Sequence, residues 1–390
     1  MKRLGLVTAV ELTSQTGQSL RINHLLGHLS DTFKISLMAA GVKSSGLPSG
    51  VMGNSLLAAD EDMKLWVKHP WRLLSRGIPM IRHLRRFSQQ QDCLYTDSPV
   101  TWLGLAGRGR PVVIEVNGIH SEELVKKGVF AGDGVLFRLY QKLEQVCYRQ
   151  VQAIIAVSPG IKAYLIGQFG ISAEKITVIS NGIDLTFFKS ESDRNSLRRK
   201  LKLPACEIAV FVGSFRPWHG VKNLIRALPV AIRRYPNLTL VLIGDGPCRD
   251  AIQRLVVEMN LKQHVLFLGS QPHHQIPQFI HAADICLYYP SYEVAGYGFM
   301  GDPIKLYEYM AMGRPVIVPA LLNFADVVTR EKAGVVVEGN QEAFGEAMAD
   351  LLSQPILCRE MGNNGQAAMR ARYGWEHITQ RIAARIEAVS

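Results

Sequence analysis

The sequence predicts an α/β protein with two doubly wound, Rossmann-like parallel-sheet domains, and three observations lead to this prediction. The chain has 390 residues, 47% of them hydrophobic, which is enough for two domains of about 150 residues each. Short apolar runs rich in β-branched residues recur along the chain. Stretches of helical length separate these runs. Apolar strands that alternate with helices are typical of parallel sheets covered on both faces.

The apolar runs fall into two sets of six, one in each half of the chain. The first set is Leu4–Val10, Lys34–Ala39, Cys93–Thr96, Val112–Val116, Ala153–Val157 and Ile176–Ile179. The second set is Ile208–Val212, Leu238–Ile243, Val265–Leu268, Ile285–Tyr289, Val316–Val318 and Val335–Val337.

A polar stretch between the two sets, Lys189–Pro204, has the composition of a linker and no strand pattern. We therefore predict domains over 1–188 and 189–372. Residues 373–390 follow the last strand with a helical pattern, and we expect them to cross back to the first domain.

Composition excludes several classes of protein. No apolar run approaches the roughly 20 residues that span a bilayer. The six cysteines are dispersed without metal-ligand spacing, which predicts a reducing cytosol and no structural metal. A dinucleotide fingerprint starting at Gly244 would need glycine where Arg249 stands, so a dehydrogenase is disfavoured. Asp60-Glu61-Asp62 fits a D-x-D string, but nothing around it indicates a metal site.

One segment carries most of the net charge of +11. Met63–Gln91 contains seven basic residues, no acidic residue and several aromatic ones. This composition suits an anionic membrane surface. An ordinary helix pair with a solvated charged face is the alternative, and nucleic acid is disfavoured because no recognition module accompanies the charge. The candidate membrane and acceptor residues are Lys64, Trp66, Lys68, Trp71, Arg72, Arg82, Arg85 and Arg86.

Candidate ligand-binding loops follow the predicted strands, and we expect the two domains to face each other across a cleft. The most specific stretch is Gly301–Val316, where a glycine-containing loop leads into a short helix that ends at Gly313. Amides at that helix start suit a diphosphate, and Glu308, one turn on, suits ribose hydroxyls. The alternative is a capped connector helix with an exposed acid.

Taken in order, these motifs resemble the family 4 glycosyltransferases of the GT-B fold over nearly the whole chain. The segments that carry the resemblance are Gly17, Ile179–Asp184, Val212–Gly213 with Gly220, Leu242–Pro247, Ala282–Ile285, Lys305–Ile317 and Tyr373–Glu376. The resemblance implies transfer of a hexosyl group from a nucleoside diphosphate sugar to a hydroxyl, with retention and without a metal or other cofactor.

The sequence departs from the family pattern at the diphosphate. The family's usual arginine and lysine are replaced by Ser214 and His219. We expect Arg216 and Lys222 to supply the charge from shifted positions, with His219 as a third candidate. The first acid of the family's paired glutamates falls at Met300, and Glu293 is a candidate replacement.

The resemblance also implies which residues hold the substrates. Acceptor-side candidates in the first domain are His120, which is alternatively only a helix-start residue, and Asn117. The candidate donor-binding residues are Gly17, Gly213, Ser214, Gly244, Gly301, Asp302, Pro303, Ile304, Lys305 and Glu308.

Several alternatives stay open on substrates and activity. No motif identifies the donor, and a UDP-sugar is favoured only because it is a common class of donor. The basic segment favours a lipid or lipid-linked saccharide acceptor at the inner membrane face, with the protein otherwise cytoplasmic. Because of Ser214 and Met300, the chain is alternatively a non-catalytic nucleotide-sugar-binding partner subunit. A third interpretation keeps the fold but changes the reaction to epimerisation or phosphorolysis.

Overall fold

The structure is a computed structural model in which the chain forms two compact units. Unit 1 contains Met1–Asn181, residues 300–302 and Trp375–Ser390, and unit 2 contains the chain from Gly182 to Gly374 apart from 300–302. The described residues are 1–13, 17–40, 47, 51–55, 77–107, 109–126, 128–132, 134–189, 193–290, 301–320, 325–338 and 340–390.

Unit 1 is built on a seven-stranded parallel sheet in the order β3-β2-β1-β4-β5-β6-β7. Its strands are β1 (Arg3–Glu11), β2 (Lys34–Ala40), β3 (Met52–Ser55), β4 (Cys93–Thr96), β5 (Val112–Val116), β6 (Ala153–Ala156) and β7 (Ile176–Val178). Its helices are α1 (Gly17–Leu29), α2 (Ile78–Gln89), α3 (Pro99–Leu105), α4 (His120–Lys126), α5 (Val135–Gln150), α6 (Pro159–Phe169) and, from the C-terminus, α15 (Trp375–Glu387).

The strands of this sheet are buried on both faces because their side chains alternate between two hydrophobic clusters. Leu4 and Leu6 pack with α1 and α15, whereas Val7 packs with the helices on the other face. Trp375 begins α15 and stacks on His24 of α1 at 4.9 Å between ring centres. The C-terminal helix is therefore part of the core of unit 1.

Unit 2 is built on a six-stranded parallel sheet in the order β10-β9-β8-β11-β12-β13. Its strands are β8 (Ile208–Val212), β9 (Thr239–Ile243), β10 (Val265–Gly269), β11 (Ile285–Leu287), β12 (Val316–Pro319) and β13 (Gly334–Val337). Its helices are α7 (Arg194–Lys200), α8 (Val221–Arg234), α9 (Arg249–Glu258), α10 (Ile276–Ala282), α11 (Ile304–Ala311), α12 (Ala325–Arg330), α13 (Gln341–Leu352) and α14 (Pro355–Ala368).

The prediction of two parallel α/β domains is confirmed, with all twelve predicted strands present. Strand β3 was not predicted, because its sequence Met-Gly-Asn-Ser has no apolar pattern, and it pairs only with β2 among the described strands. Strand order places the switch point of the unit 2 sheet between β8 and β11. Ligands bind beyond the carboxyl ends of strands at such a point.

The stretch 189–204 is more than a linker. It contains α7, whose Leu197 is buried in the unit 2 core and whose Arg198 donates to Asp284 (2.7 Å) and to the carbonyl of Ala282 (2.8 Å). The compact units divide between Asn181 and Gly182 rather than at 188/189. In the described part of the chain, no helix is long and apolar enough to cross a bilayer.

Candidate functional site

The loops after β8 and β9 meet at the carboxyl edge of the unit 2 sheet. Gly244 has a φ of 134°, and a Cβ there would overlap the carbonyl oxygen of Gly213. Backbone hydrogen bonds hold the two loops together, from Phe215 to Asp245 (2.8 Å) and from Cys248 to Phe215 (2.9 Å). The glycine at 244 permits this close approach, so the turn supports the loop that begins at Gly213. A donor contact at Gly244 stays a prediction.

Lys305 brings its ammonium group beside the same loop. The Nζ atom is buried, and a Cβ on Gly213 would overlap it. Nζ lies 4.6 Å from the ring centre of Phe211 and 4.9 Å from that of Tyr288. Among the described residues, no group accepts a hydrogen bond from it. Because a buried cation without an acceptor is costly, this position suits an incoming anion.

Glu308 follows Lys305 by one helical turn on α11. Burial raises the pKa of Glu308 to about 7, with Lys305 opposing the shift. Burial also lowers the pKa of Lys305 to about 8, with Glu308 opposing it. The alternative of an exposed acid is wrong, since Glu308 is partly buried. Its helix is packed into the unit 2 core through Leu306, Tyr307, Tyr309 and Met310.

His219 closes a short 3-10 turn over Pro217–His219. Its Nδ1 lies 2.5 Å from the carbonyl oxygen of Ser214 and 3.2 Å from the hydroxyl of that residue. Because a carbonyl only accepts, Nδ1 carries the hydrogen and Nε2 is left as an acceptor. Burial, then Lys305, lowers the pKa of His219 to about 3. This shift favours a neutral imidazole in the protein without a ligand, and a role for His219 at the diphosphate stays a prediction.

Arg216 and Lys222 flank that turn. Both side chains are exposed. The guanidinium of Arg216 lies 5.4 Å from the ring centre of Trp218, and its charge contributes to the lowered pKa of His219. Lys222 belongs to the first turn of α8. Unlike these two cations, Lys305 has its charge buried at the turn.

Asp302, which precedes α11 in sequence, belongs to unit 1 and is hydrogen-bonded there to Asn181. The carboxylate of Asp302 accepts from the backbone N–H of Asn181 (2.6 Å), and its carbonyl accepts from the Asn181 side chain (2.7 Å). Asp302 therefore holds the chain at Asn181, and its contact with a donor stays a prediction. Pro303 forms the start of α11, and Ile304 is its first residue.

A buried ion pair lies next to this loop in unit 1. Arg21 donates two hydrogen bonds to Glu115, at 2.8 and 2.7 Å, and both residues are fully buried. The hydroxyl of Tyr95 and the side chain of Asn117 also donate to Glu115. Burial opposes both charges, but their mutual attraction holds the pKa of Glu115 below and that of Arg21 above its ordinary value. Arg21 also reaches the carbonyl of Ser180 (2.9 Å).

The acceptor-side candidates lie around this network. Asn117 is oriented by its 2.9 Å hydrogen bond to Glu115. His120 is the first residue of α4, and its ring nitrogen Nδ1 is hydrogen-bonded to the hydroxyl of Tyr140. The buried carboxylate of Glu144 accepts from the backbone N–H of His120 (2.9 Å) and caps the helix. Both interpretations of His120, as a helix-start residue and as a sugar-facing group, fit this arrangement.

The predicted membrane residues divide into two groups. Arg82, Arg85 and Arg86 are exposed on α2, whose opposite face is buried through Met80, Leu84 and Phe87. The others, Lys64, Trp66, Lys68, Trp71 and Arg72, lie outside the described residues, as do Glu293, Met300 and Asp60-Glu61-Asp62.

Two further observations concern Gly17 and metal binding. Gly17 is exposed at the first position of α1.

In the described ranges, no group of three or more His, Cys, Asp or Glu residues is arranged to hold a metal ion.

Two family models together match most of the chain. Residues 60–187 match Glycosyltransferase Family 4, and residues 193–368 match Glycosyl transferases group 1. The chain belongs to the family 4 glycosyltransferases. A relative of this glycosyltransferase in Mycobacterium tuberculosis, a GDP-mannose-dependent α-(1-6)-phosphatidylinositol monomannoside mannosyltransferase, is 26% identical over 81% of this chain and 82% of its own length.

Solved structures show that the glycosyltransferase has the GT-B fold. Sucrose-phosphate synthase from Thermosynechococcus elongatus superposes with a TM-score of 0.78 at 20% identity, covering 100% of both chains. Anabaena HepE in complex with UDP superposes with a TM-score of 0.75 at 19% identity, again over 100% of both chains.

Two features of the glycosyltransferase were not predicted from its sequence. Glu115 is a lone acid within an apolar strand, and Arg21 interrupts the apolar face of α1; each was a visible signal of a buried ion pair. The second feature is an exposed apolar surface on α5, where Val135, Leu136 and Leu139 are 73%, 53% and 62% exposed. This surface lies on the same helix as Tyr140, the partner of His120.

Proposed function

We propose that this glycosyltransferase uses a nucleoside diphosphate sugar and transfers its hexosyl group, with retention, to a hydroxyl of a lipid or lipid-linked saccharide. The observation that carries the proposal is the buried ammonium of Lys305 beside the Gly213 loop, with no acceptor among the described residues. A diphosphate supplies the missing negative charge. UDP-sugar is the first candidate because HepE was solved with UDP, and GDP-mannose is the second because the mycobacterial relative is named for it.

Each residue at the site has a distinct role in this proposal. Lys305 stabilises the charge that develops on the leaving diphosphate, and Arg216 and Lys222 add to it from the solvent side. Glu308 accepts hydrogen bonds from the ribose. His219, which is neutral, accepts a hydrogen bond from a donor hydroxyl through Nε2. Because these cations come from side chains, the reaction proceeds without a metal.

The chemical step is a substitution at the anomeric carbon. The bond from that carbon to the diphosphate oxygen breaks, and the acceptor oxygen bonds on the same face. The acceptor proton passes to the departing diphosphate oxygen, so no protein nucleophile is required. Positioning and electrostatic stabilisation of an oxocarbenium-like state provide the rate enhancement. Asn117, fixed by Glu115, and His120 orient the sugar or the acceptor hydroxyl.

The lipid acceptor is supported by two surfaces of unit 1. Arg82, Arg85 and Arg86 are exposed on α2, and apolar side chains are exposed on α5. Helices α2 and α5 belong to the same face of the sheet, because both pack into the same hydrophobic cluster. Cations beside exposed apolar side chains suit the headgroup and acyl regions of an anionic membrane. The protein then works as a peripheral enzyme at the inner membrane face.

Release of nucleoside diphosphate tests the activity. We expect turnover with one member of a panel of UDP-, GDP- and ADP-sugars when membrane lipids are supplied as acceptor. A non-catalytic partner subunit would instead raise its melting temperature with a nucleotide sugar and release nothing. Arg216→Ala and Lys222→Ala should each lower turnover. Unchanged turnover in both variants would show that neither cation stabilises the leaving diphosphate.

Vesicle co-sedimentation tests the membrane contact. We expect binding that needs anionic lipid, weakens with salt and is lost when Arg82, Arg85 and Arg86 are changed to Glu. The matched control changes Arg226, Arg254 and Lys262 to Glu, since these cations are equally exposed but lie in unit 2. Equal binding by both triple variants would favour a soluble acceptor.

A further inference from the structure

A second charged cavity lies in unit 2, at the sheet edge opposite the proposed donor site. Its volume is about 470 Å³, and its lining includes Glu207, Asp284 and Arg314. These residues come shortly before β8, β11 and β12 respectively, whereas Gly213 and Gly244 follow their strands. Because the strands are parallel, residues before them and residues after them lie at opposite edges of the sheet. The cavity is therefore separate from the donor loops.

The positive charge of this cavity exceeds what its acids neutralise. Three arginines line it, Arg194, Arg314 and Arg359, against two acids, Glu207 and Asp284. Asp284 is already engaged by Arg194, by Arg198 (2.7 Å) and by the backbone N–H of Ile208 (2.7 Å). Its capacity to accept further donors is nearly used up.

Arg314 has no carboxylate partner within the described part of the chain. Its hydrogen bonds to described residues go to the carbonyls of Met312 and Ala283, each at 3.3 Å. Burial, and then the charge of Arg194, lowers the pKa of Arg314. Burial also raises the pKa of the neighbouring Cys358 thiol to about 11, so this group supplies no negative charge at neutral pH.

Two further features of the cavity suit an anion. Pro355 and Cys358, from the first turn of the 14-residue helix α14, line it, and a helix start favours negative charge. Guanidinium groups bind phosphate oxygens in a two-pronged geometry. A volume of about 470 Å³ also falls within the ordinary range for small-molecule sites.

We propose that this cavity binds the phosphate group of a small phosphorylated molecule, through Arg314 and Arg359. The shared chemistry is a phosphate monoester, whether on a soluble metabolite or on a lipid headgroup. Arg314 provides a partly buried charge, and Arg359, which also lines the cavity, is exposed. The site does not depend on the proposed transferase activity.

Calorimetric titration with glycerol 3-phosphate tests the proposal. The Lys305→Gln variant serves as the parent protein, so that anion binding at the donor loops does not contribute. Adding Arg314→Gln or Arg359→Gln should weaken binding at least tenfold, whereas Arg254→Gln, an exposed arginine elsewhere in unit 2, should not change it. No binding by the parent protein, or equal affinity in all three variants, would overturn the proposal.

A second arm identifies the source of the phosphate. Vesicles with and without phosphatidic acid replace glycerol 3-phosphate, and the readout is the difference between the parent protein and Arg359→Gln. If Arg359→Gln weakens binding of glycerol 3-phosphate but not of vesicles, the ligand is a soluble metabolite. If it weakens binding to vesicles that contain phosphatidic acid, the ligand is a lipid headgroup. Arg359 is exposed, so its replacement leaves folding intact even if Arg314→Gln does not fold. Absence of a difference in both arms would overturn the proposal.

Discussion

Two cation–acid pairs, a fully buried one in unit 1 and a partly buried one in unit 2, differ in how completely their charges are hydrogen-bonded. In unit 1 the guanidinium of Arg21 is bonded twice to Glu115, and that carboxylate also accepts from Tyr95 and Asn117. In unit 2 the ammonium of Lys305, one helical turn from Glu308, has no hydrogen-bond acceptor among the described residues. Burial shifts the pKa values of Lys305 and Glu308 towards neutrality, to about 8 and about 7.

This difference separates a structural charge from a charge kept for a ligand. A saturated network has no capacity left for a substrate, and it rigidifies the residues that it holds. An unsatisfied buried cation lowers stability until an anion binds. The unit 1 pair therefore positions Asn117 and the chain at Ser180–Asn181, whereas the unit 2 pair is the stronger candidate for direct contact with the donor.

The largest expected effect is on the stability of unit 1. Arg21→Met leaves Glu115 buried and unpaired, so the free energy of unfolding should fall by about 3–5 kcal/mol in urea titrations. Arg3→Met is the control, because the Arg3–Asp92 pair is solvent-exposed and its loss should lower the free energy of unfolding far less. Replacing Glu115 by Leu in the Arg21→Met protein should restore part of the loss. Equal costs for Arg21→Met and Arg3→Met would show that the buried pair does not stabilise the unit.

In contrast to Arg21→Met, Lys305→Gln should lower turnover without lowering the free energy of unfolding. Loss of charge at the leaving diphosphate should lower turnover by about 10²- to 10³-fold, as for other groups that stabilise transition-state charge. The free energy of unfolding should not fall, because the variant removes a buried, unpaired ammonium. Lys262→Gln, at an exposed position of unit 2, is the control for both measurements. A stable variant with unchanged turnover would remove Lys305 from the donor site.

The pH dependence of donor binding tests whether Lys305, unlike Arg21, binds a ligand. Because the pKa of Lys305 is lowered to about 8, the ammonium loses its proton within the accessible pH range. Affinity for a nucleoside diphosphate should fall as pH rises above about 8, approaching tenfold per pH unit. Titration calorimetry between about pH 7 and 9 measures this, and Lys305→Gln should give a flat profile. A flat wild-type profile would mean that another cation binds the diphosphate.

The smallest expected effect is the pH dependence that Glu308 gives to stability. Its pKa is raised to about 7 in the folded protein, so the native state holds a proton that the unfolded chain releases between about pH 4.5 and 7. The Glu308 contribution is complete below that window and is lost as pH rises through it. The melting temperature of Glu308→Gln relative to wild type should therefore be higher at pH 8 than at pH 5. An unchanged difference would contradict the raised pKa.

Much of the fold follows from the pattern of residues along the chain. Runs such as Ala153–Ala156 and Ile208–Val212 are apolar throughout, and such runs are typical of strands covered on both faces. That local rule predicts every strand except Met52–Ser55, which has no apolar pattern and forms through its pairing with β2. The glycines near 213 and 244 mark the strand-end turns for the same reason, because the close backbone approach there needs a residue without a Cβ.

The charge states at the site depend on packing across distant segments. His219 loses its charge because the turn buries it near Lys305, 86 positions along the chain. Asp302 is engaged because Asn181 lies against it, and Glu115 is held by an arginine 94 residues away. The pKa of a side chain depends on its burial and on the charged groups close to it in space. Residue types and their spacing along the chain do not give those distances. The sequence therefore predicts candidate residues for the site, and the folded arrangement determines which of them are buried or paired.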